Sequence, residues 1–191
     1  IQLSHHKFIV AVLLVMKRLR SPLKGQQNVG LILPTSAGGA IANMAVLGLG
    51  KTVVNLNYTA GIKAVRSAVE SADIKSIVTS RLFLKKLTSR GIDLDELFSG
   101  IEVLYLENIK QENSKALALR YLLLVKLLPA SILSLCFIKS VSSHTTAAIM
   151  FSSGSEGKPK GVELSHYNLL GNIKQVASIF NIEESDTFMC I

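Results

Sequence analysis

Residues 28–56 read NVGLILPTSAGGAIANMAVLGLGKTVVNL. The stretch opens on a short unbroken apolar run (28–33), stops at Pro34, and closes on a β-branched run (52–56). Apolar runs of that length, without polar alternation, suit strands covered on both faces. Between them lie small and aliphatic residues. Ser36 is placed to cap the N-terminus of a helix, and Gly48 or Gly50 to end it. Strand, helix and strand in that order predict a parallel pair joined by a crossover.

The alternation continues outward. A helix is predicted over 60–73, a strand over 75–80, a helix over 80–91 closed by Gly91, and a strand over 102–106. Upstream, 6–20 reads as a helix whose basic end, Lys17, Arg18 and Arg20, suits the negative pole of the helix dipole. Residues 107–145 break the pattern: a helical run ends at Pro129 and a polar linker begins at Lys139. Strands at 147–151 and 161–165 and a helix over 165–180 capped by Ser165 follow. The predicted class is α/β, a mostly parallel sheet flanked by helices.

Composition narrows the function classes. Hydrophobic residues make up 49% and charged residues 18% of the 191, which supports a large core and argues against disorder. Cys136 and Cys190 lie in apolar runs with no metal-binding or disulfide spacing, so both are expected to be buried thiols. The net charge of +8 arises entirely before Glu70, the first acidic residue. These cations alternate with aliphatics and lack the aromatic interleaving of a base-stacking surface, so nucleic acid is not the expected partner. An anionic membrane surface fits better, and a solvated face is the plain alternative. The nine apolar residues between Lys7 and Lys17, and the twelve uncharged ones between Lys126 and Lys139, fall short of the roughly 20 that span a bilayer. The second run suits either a membrane interface or a buried helix.

Several short matches fail on context. The end of a Walker loop at 48–52 would need Gly at position 45, where Ala45 stands, and it closes a helix instead of opening one. His5, His6 and His144 have no metal-ligand companions at usable spacing, and no GxSxG elbow occurs. The stretch FSSGSEGKPKGVELSH, 151–166, is different. Gly154, Gly157 and Gly161 permit backbone conformations that expose consecutive N–H groups. Ser152, Ser153 and Ser155 add hydroxyls, Lys158 and Lys160 add positive charge, and Pro159 stiffens the segment. Placed directly after a strand, where open α/β sheets keep their ligand loops, this composition predicts a polyphosphate cradle.

The order SSGSEGKPKG, 152–161, resembles the phosphate-loop signature of the adenylate-forming enzymes at all ten positions. That superfamily includes acyl-CoA synthetases and nonribosomal peptide adenylation domains. The 29–61 segment resembles its early strand–helix–strand unit. The Ser-Gly-Ser-Glu-Gly form of the loop and the turn NLNYTAG, 55–61, resemble the bacterial acyl-[acyl-carrier-protein] synthetase branch, which includes bifunctional 2-acylglycerophosphoethanolamine acyltransferases. The resemblance is weakest over 107–145.

The resemblance implies an enzyme that takes ATP and Mg²⁺, activates a fatty acid as acyl adenylate, and passes it to acyl-carrier protein or coenzyme A. In the bifunctional members a lysophospholipid receives it at the cytoplasmic face of the bacterial inner membrane. Carried over by position, the nucleotide-binding set is Ser152, Ser153, Gly154, Ser155, Glu156, Gly157 and Lys160, with Lys160 the candidate for catalytic charge stabilisation. Glu156 repels triphosphate and is expected to accept backbone N–H bonds that hold the empty loop closed, with a place near Mg²⁺ as the alternative. Residues 1–191 are expected to be the N-terminal part of an AMP-binding domain cut at both ends, and inactive alone. A long-chain acyl-CoA ligase and a non-catalytic membrane-associated module are the alternatives.

Overall fold

The computed structural model describes residues 3–92, 94–152 and 159–180. Its element order is α1 (His5–Leu19), β1 (Asn28–Ile32), α2 (Ala37–Gly48), β2 (Thr52–Asn55), α3 (Ile62–Ser71), β3 (Ser76–Thr79), α4 (Arg81–Thr88), β4 (Glu102–Tyr105), α5 (Leu106–Gln111), α6 (Lys115–Leu127), α7 (Ala130–Phe137), β5 (Thr146–Phe151), β6 (Gly161–Ser165) and α8 (His166–Ile179). Among the described residues one six-stranded sheet forms, in the order β4-β3-β1-β2-β5-β6. Strands β4, β3, β1, β2 and β5 are mutually parallel. The last strand, β6, turns back antiparallel to β5.

The period-2 geometry of the strands splits the apolar runs between two cores. On one face Val29, Leu31, Val53 and Val78 pack with α1, α2, Ile109 of α5 and Val125 of α6. On the other, Ile32, Val54, Ile77 and Ile149 pack with α3 and α4. The expected two-sided burial is therefore observed, and it explains why 28–33, which contains β1, reads as an unbroken apolar run.

Local signals set the element ends. The Ser36 hydroxyl accepts from the Gly39 N–H at 3.2 Å, capping α2. A Cβ on Gly39 would meet the Pro34 carbonyl oxygen at 2.6 Å, so the first turn of α2 can lie over the end of β1 only with glycine there. Ser165 and Asn168 form a reciprocal capping box on α8. Helix α2 ends at Gly48, as expected. Pro129 ends α6 and serves as N-cap of α7, which divides a run read in sequence as one helix and an apolar tail. Helix α5 was not expected.

Cys136 corrects one expectation. It lies exposed on α7, because α7 turns only Leu133 and Phe137 inward. Cys190 lies outside the described residues.

Candidate active site

Parallel strands bring their C-terminal ends to one edge of the sheet. The register Val54↔Ile149 places the end of β5 at the same edge as the end of β2. The chain leaves β5 at Phe151 and returns as β6 at Gly161, with Phe151 opposite Gly161 and Met150 opposite Val162. The backbone N–H of Ser152 donates to the carbonyl of Lys160 at 3.0 Å, closing the base of the intervening loop. Ser152 and Lys160 are both exposed, and their backbones meet at the base of this loop. Of the nucleotide-binding set, the structure brings together these two. Ser153, Gly154, Ser155, Glu156 and Gly157 lie outside the described residues.

Gly161 has a different role from the one its sequence suggested. It is a strand residue, and its backbone is not in the left-handed region. Its missing side chain makes room: a Cβ there would lie 3.1 Å from Cε1 of Phe151 and 3.2 Å from Cγ2 of Ile149. The Phe151 ring thus rests against the opposite strand and fixes where the loop leaves the sheet.

The far end of the hairpin is tied down as well. Thr146 donates to the Glu163 carboxylate at 2.8 Å, and the N–H groups of His166 and Tyr167 donate to the carbonyls of Thr145 and Ser143. The His144 and Tyr167 rings stack at 5.6 Å. At the same edge as the loop, the NLNYTAG turn begins at Asn55, which exchanges amide hydrogen bonds with Asn43 of α2. The Asn57 carboxamide then accepts from the Thr59 N–H and hydroxyl, closing a 3-10 turn.

A second feature of this edge had no motif to announce it. Chain connections diverge to either side of β1, and such a switch point is where open α/β sheets form crevices. A cavity of about 410 Å³ lies there, lined by Ser36 and Gly38 of the α2 start, Phe83 and Lys86 of α4, and Glu107 and Lys110 of α5. The Glu107 carboxylate accepts from the Ser80 hydroxyl at 2.7 Å and from the Leu82 N–H at 3.2 Å. Burial acts to raise its pKa, but hydrogen bonding to the Ser80 hydroxyl and to the backbone of Glu107, Leu82 and Arg81 outweighs it and holds the carboxyl below its ordinary value. Its other oxygen is buried without a protein partner. The position of Glu107, two residues after the end of β4, was the available signal in sequence.

The Walker-like Lys51 is a structural residue. Its ammonium donates to the Gln26 carbonyl, and burial, with Lys139 nearby, lowers its pKa. Among the described residues no group of three His, Cys, Asp or Glu side chains converges. The exposed Ser152 and Lys160 do suit the phosphates of ATP: one donates a hydroxyl proton and the other carries positive charge.

The model of the AMP-binding enzyme family matches residues 3–191. A nonribosomal peptide synthetase of Lecanicillium sp is 27% identical over 186 residues, 97% of this chain and 2% of that protein. A chloroplastic long-chain-fatty-acid–[acyl-carrier-protein] ligase of Arabidopsis thaliana is 45% identical over 49 residues, 26% of this chain and 7% of that one. The chain thus spans a small part of the length of these relatives. In structure it resembles o-succinylbenzoate CoA synthetase of Bacillus subtilis bound to its acyl-adenylate intermediate. The TM-score is 0.73 at 19% identity, over 96% of this chain and 42% of that one. With its sheet, its β5–loop–β6 hairpin and a family match over nearly all its length, the chain belongs to the AMP-binding enzymes.

Proposed function

We propose that this chain carries the nucleotide-phosphate loop of an AMP-forming ligase that activates a fatty acid and transfers it to acyl-carrier protein. The observation that carries the reading is the β5–β6 hairpin. It holds Ser152 and Lys160 at the sheet edge with SSGSEGKPKG running between the strands. The match to a long-chain-fatty-acid–[acyl-carrier-protein] ligase supports the acyl class and the carrier acceptor.

In this reading a carboxylate oxygen of the fatty acid attacks the α-phosphorus of ATP. The bond to the bridging oxygen breaks, and pyrophosphate leaves with the electron pair. Lys160 and the Ser152 hydroxyl counter the charge on the leaving group, which is where fixed donors lower a barrier most. A thiolate then attacks the acyl carbonyl and releases AMP. Mg²⁺, when bound with ATP, supplies further charge neutralisation. A B. subtilis neighbour of the same fold has been crystallised with ATP and magnesium. Delivery to a lysophospholipid at the cytoplasmic face of a bacterial inner membrane completes the proposal.

Incubating the complete polypeptide that carries this sequence with ATP, a long-chain fatty acid, and carrier protein or coenzyme A tests the acceptor. Mass spectrometry should find carrier protein acylated by the fatty acid. Acyl-CoA as the sole thioester would establish the ligase alternative, and no thioester with either acceptor would contradict the reading.

A further inference from the structure

Helices α6 and α7 carry an apolar surface that the described residues do not cover. At 3.6 residues per turn, Leu119, Leu123 and Leu127 form one stripe along α6. They are 58%, 51% and 76% exposed. On α7, Ile132 and Leu135 continue the apolar surface, with Leu135 85% exposed. The opposite sides of both helices are anchored. Tyr121 meets Phe137 edge-on at 5.6 Å, Arg20 donates to the Phe137 carbonyl at 3.5 Å, and the Lys139 N–H donates to the Gly48 carbonyl at 2.9 Å. The exposed leucines therefore stand on a fixed platform.

The charges around them have one sign. Lys115 and Lys126 flank the leucine stripe on one side and Arg120 on the other. Lys115, Arg120 and Lys126 are all exposed. The sequence has no Asp or Glu from 113 to 155, nor from 1 to 69. Glu112, which precedes α6, pairs with Arg18 at 3.5 Å. The apolar face of α8 differs: that helix carries the single cation Lys174, and Glu163 precedes it on β6.

We propose that the α6–α7 hairpin is a membrane-docking surface. Its leucines enter the acyl boundary of an anionic bilayer, and its lysines and arginines sit at the lipid headgroups. Exposed Leu and Ile framed by Lys and Arg is the composition of an interfacial helix. Neither helix reaches the length of a span, and among the described residues no helix is long and apolar enough to cross a membrane. A second copy of this face would bring like charges together. The occupant that complements the charge is an anionic lipid surface.

Co-sedimentation of the protein with phosphatidylglycerol-containing vesicles and with pure phosphatidylcholine vesicles tests this. Binding should favour the anionic vesicles and weaken as salt screens the cations. The double variant L127E/L135E, both positions being largely exposed, should lower vesicle binding by about tenfold or more with an unchanged circular dichroism spectrum. Ile173→Glu on α8 should leave it unchanged. Equal binding to both vesicle types, retention by L127E/L135E, or loss only in Ile173→Glu would overturn the assignment. So would a dimer that L127E/L135E dissociates while vesicle binding stays the same.

Discussion

Gly161 shows how one side chain's absence positions the loop. The Phe151 ring occupies the space a Cβ would need, at 3.1 Å. Gly161→Val should therefore destabilise the fold by about 1–3 kcal/mol through overpacking, read by urea denaturation. ATP affinity should fall with it as the loop base shifts. Glu107 makes the contrasting case of a side chain whose presence matters. Hydrogen bonds from Ser80 and Leu82 favour its ionised form, so its folded pKa lies below its unfolded value. The stability it contributes is present above the unfolded carboxylate pKa of about 4.3, and is lost as pH falls through the lower folded value. Glu107→Gln should flatten that acid limb, measured as unfolding midpoints from pH 7 down to pH 3. An unchanged acid limb would show that Glu107 makes no such contribution.

Among the elements, α2 depends on one hydroxyl. Ser36 caps it at Gly39, and no acidic residue in the first turn assists. Ser36→Ala should cost about 1 kcal/mol, measured by thermal or denaturant unfolding. Most elements were legible because their signals are local. Ser36 and Ser165 mark helix starts, and the β-branched runs at 52–56 and 75–80 mark β2 and β3. Helix α5 was not, since LENIKQ is only six residues and follows β4 directly, without a cap. The exposure of Cys136 was hidden for a related reason. An apolar run reads as buried, and only the packing of Tyr121 on Phe137 decides which side of α7 faces in. At the site, the motif gave the ends of the loop, Ser152 and Lys160, their identity. The role of Gly161 depended on a cross-strand neighbour ten residues away, which spacing alone does not reveal.

At the scale of the molecule, strand order is what sequence left open. Crossovers carry the chain from β1 out to β2 and back across to β3, and the order β4-β3-β1-β2-β5-β6 follows from how those connections pack. The result gathers the loop ends, the Asn43–Asn55 pair and the Glu107 crevice along one edge, while the cationic, leucine-rich α6–α7 surface belongs to separate elements. The proposed phosphate chemistry and the proposed membrane contact therefore rest on separate residues and should be separable by mutation. In the proposed reaction this edge stabilises the departure of pyrophosphate during adenylation. Fatty-acid-dependent exchange of labelled pyrophosphate into ATP measures that step directly, in the complete polypeptide and its Lys160→Met variant. Exchange should require the fatty acid and fall by about 10²-fold or more in the variant, the scale of losing a charge-stabilising donor. Exchange that proceeds undiminished in Lys160→Met, or that is absent from the unaltered protein, would contradict the proposal.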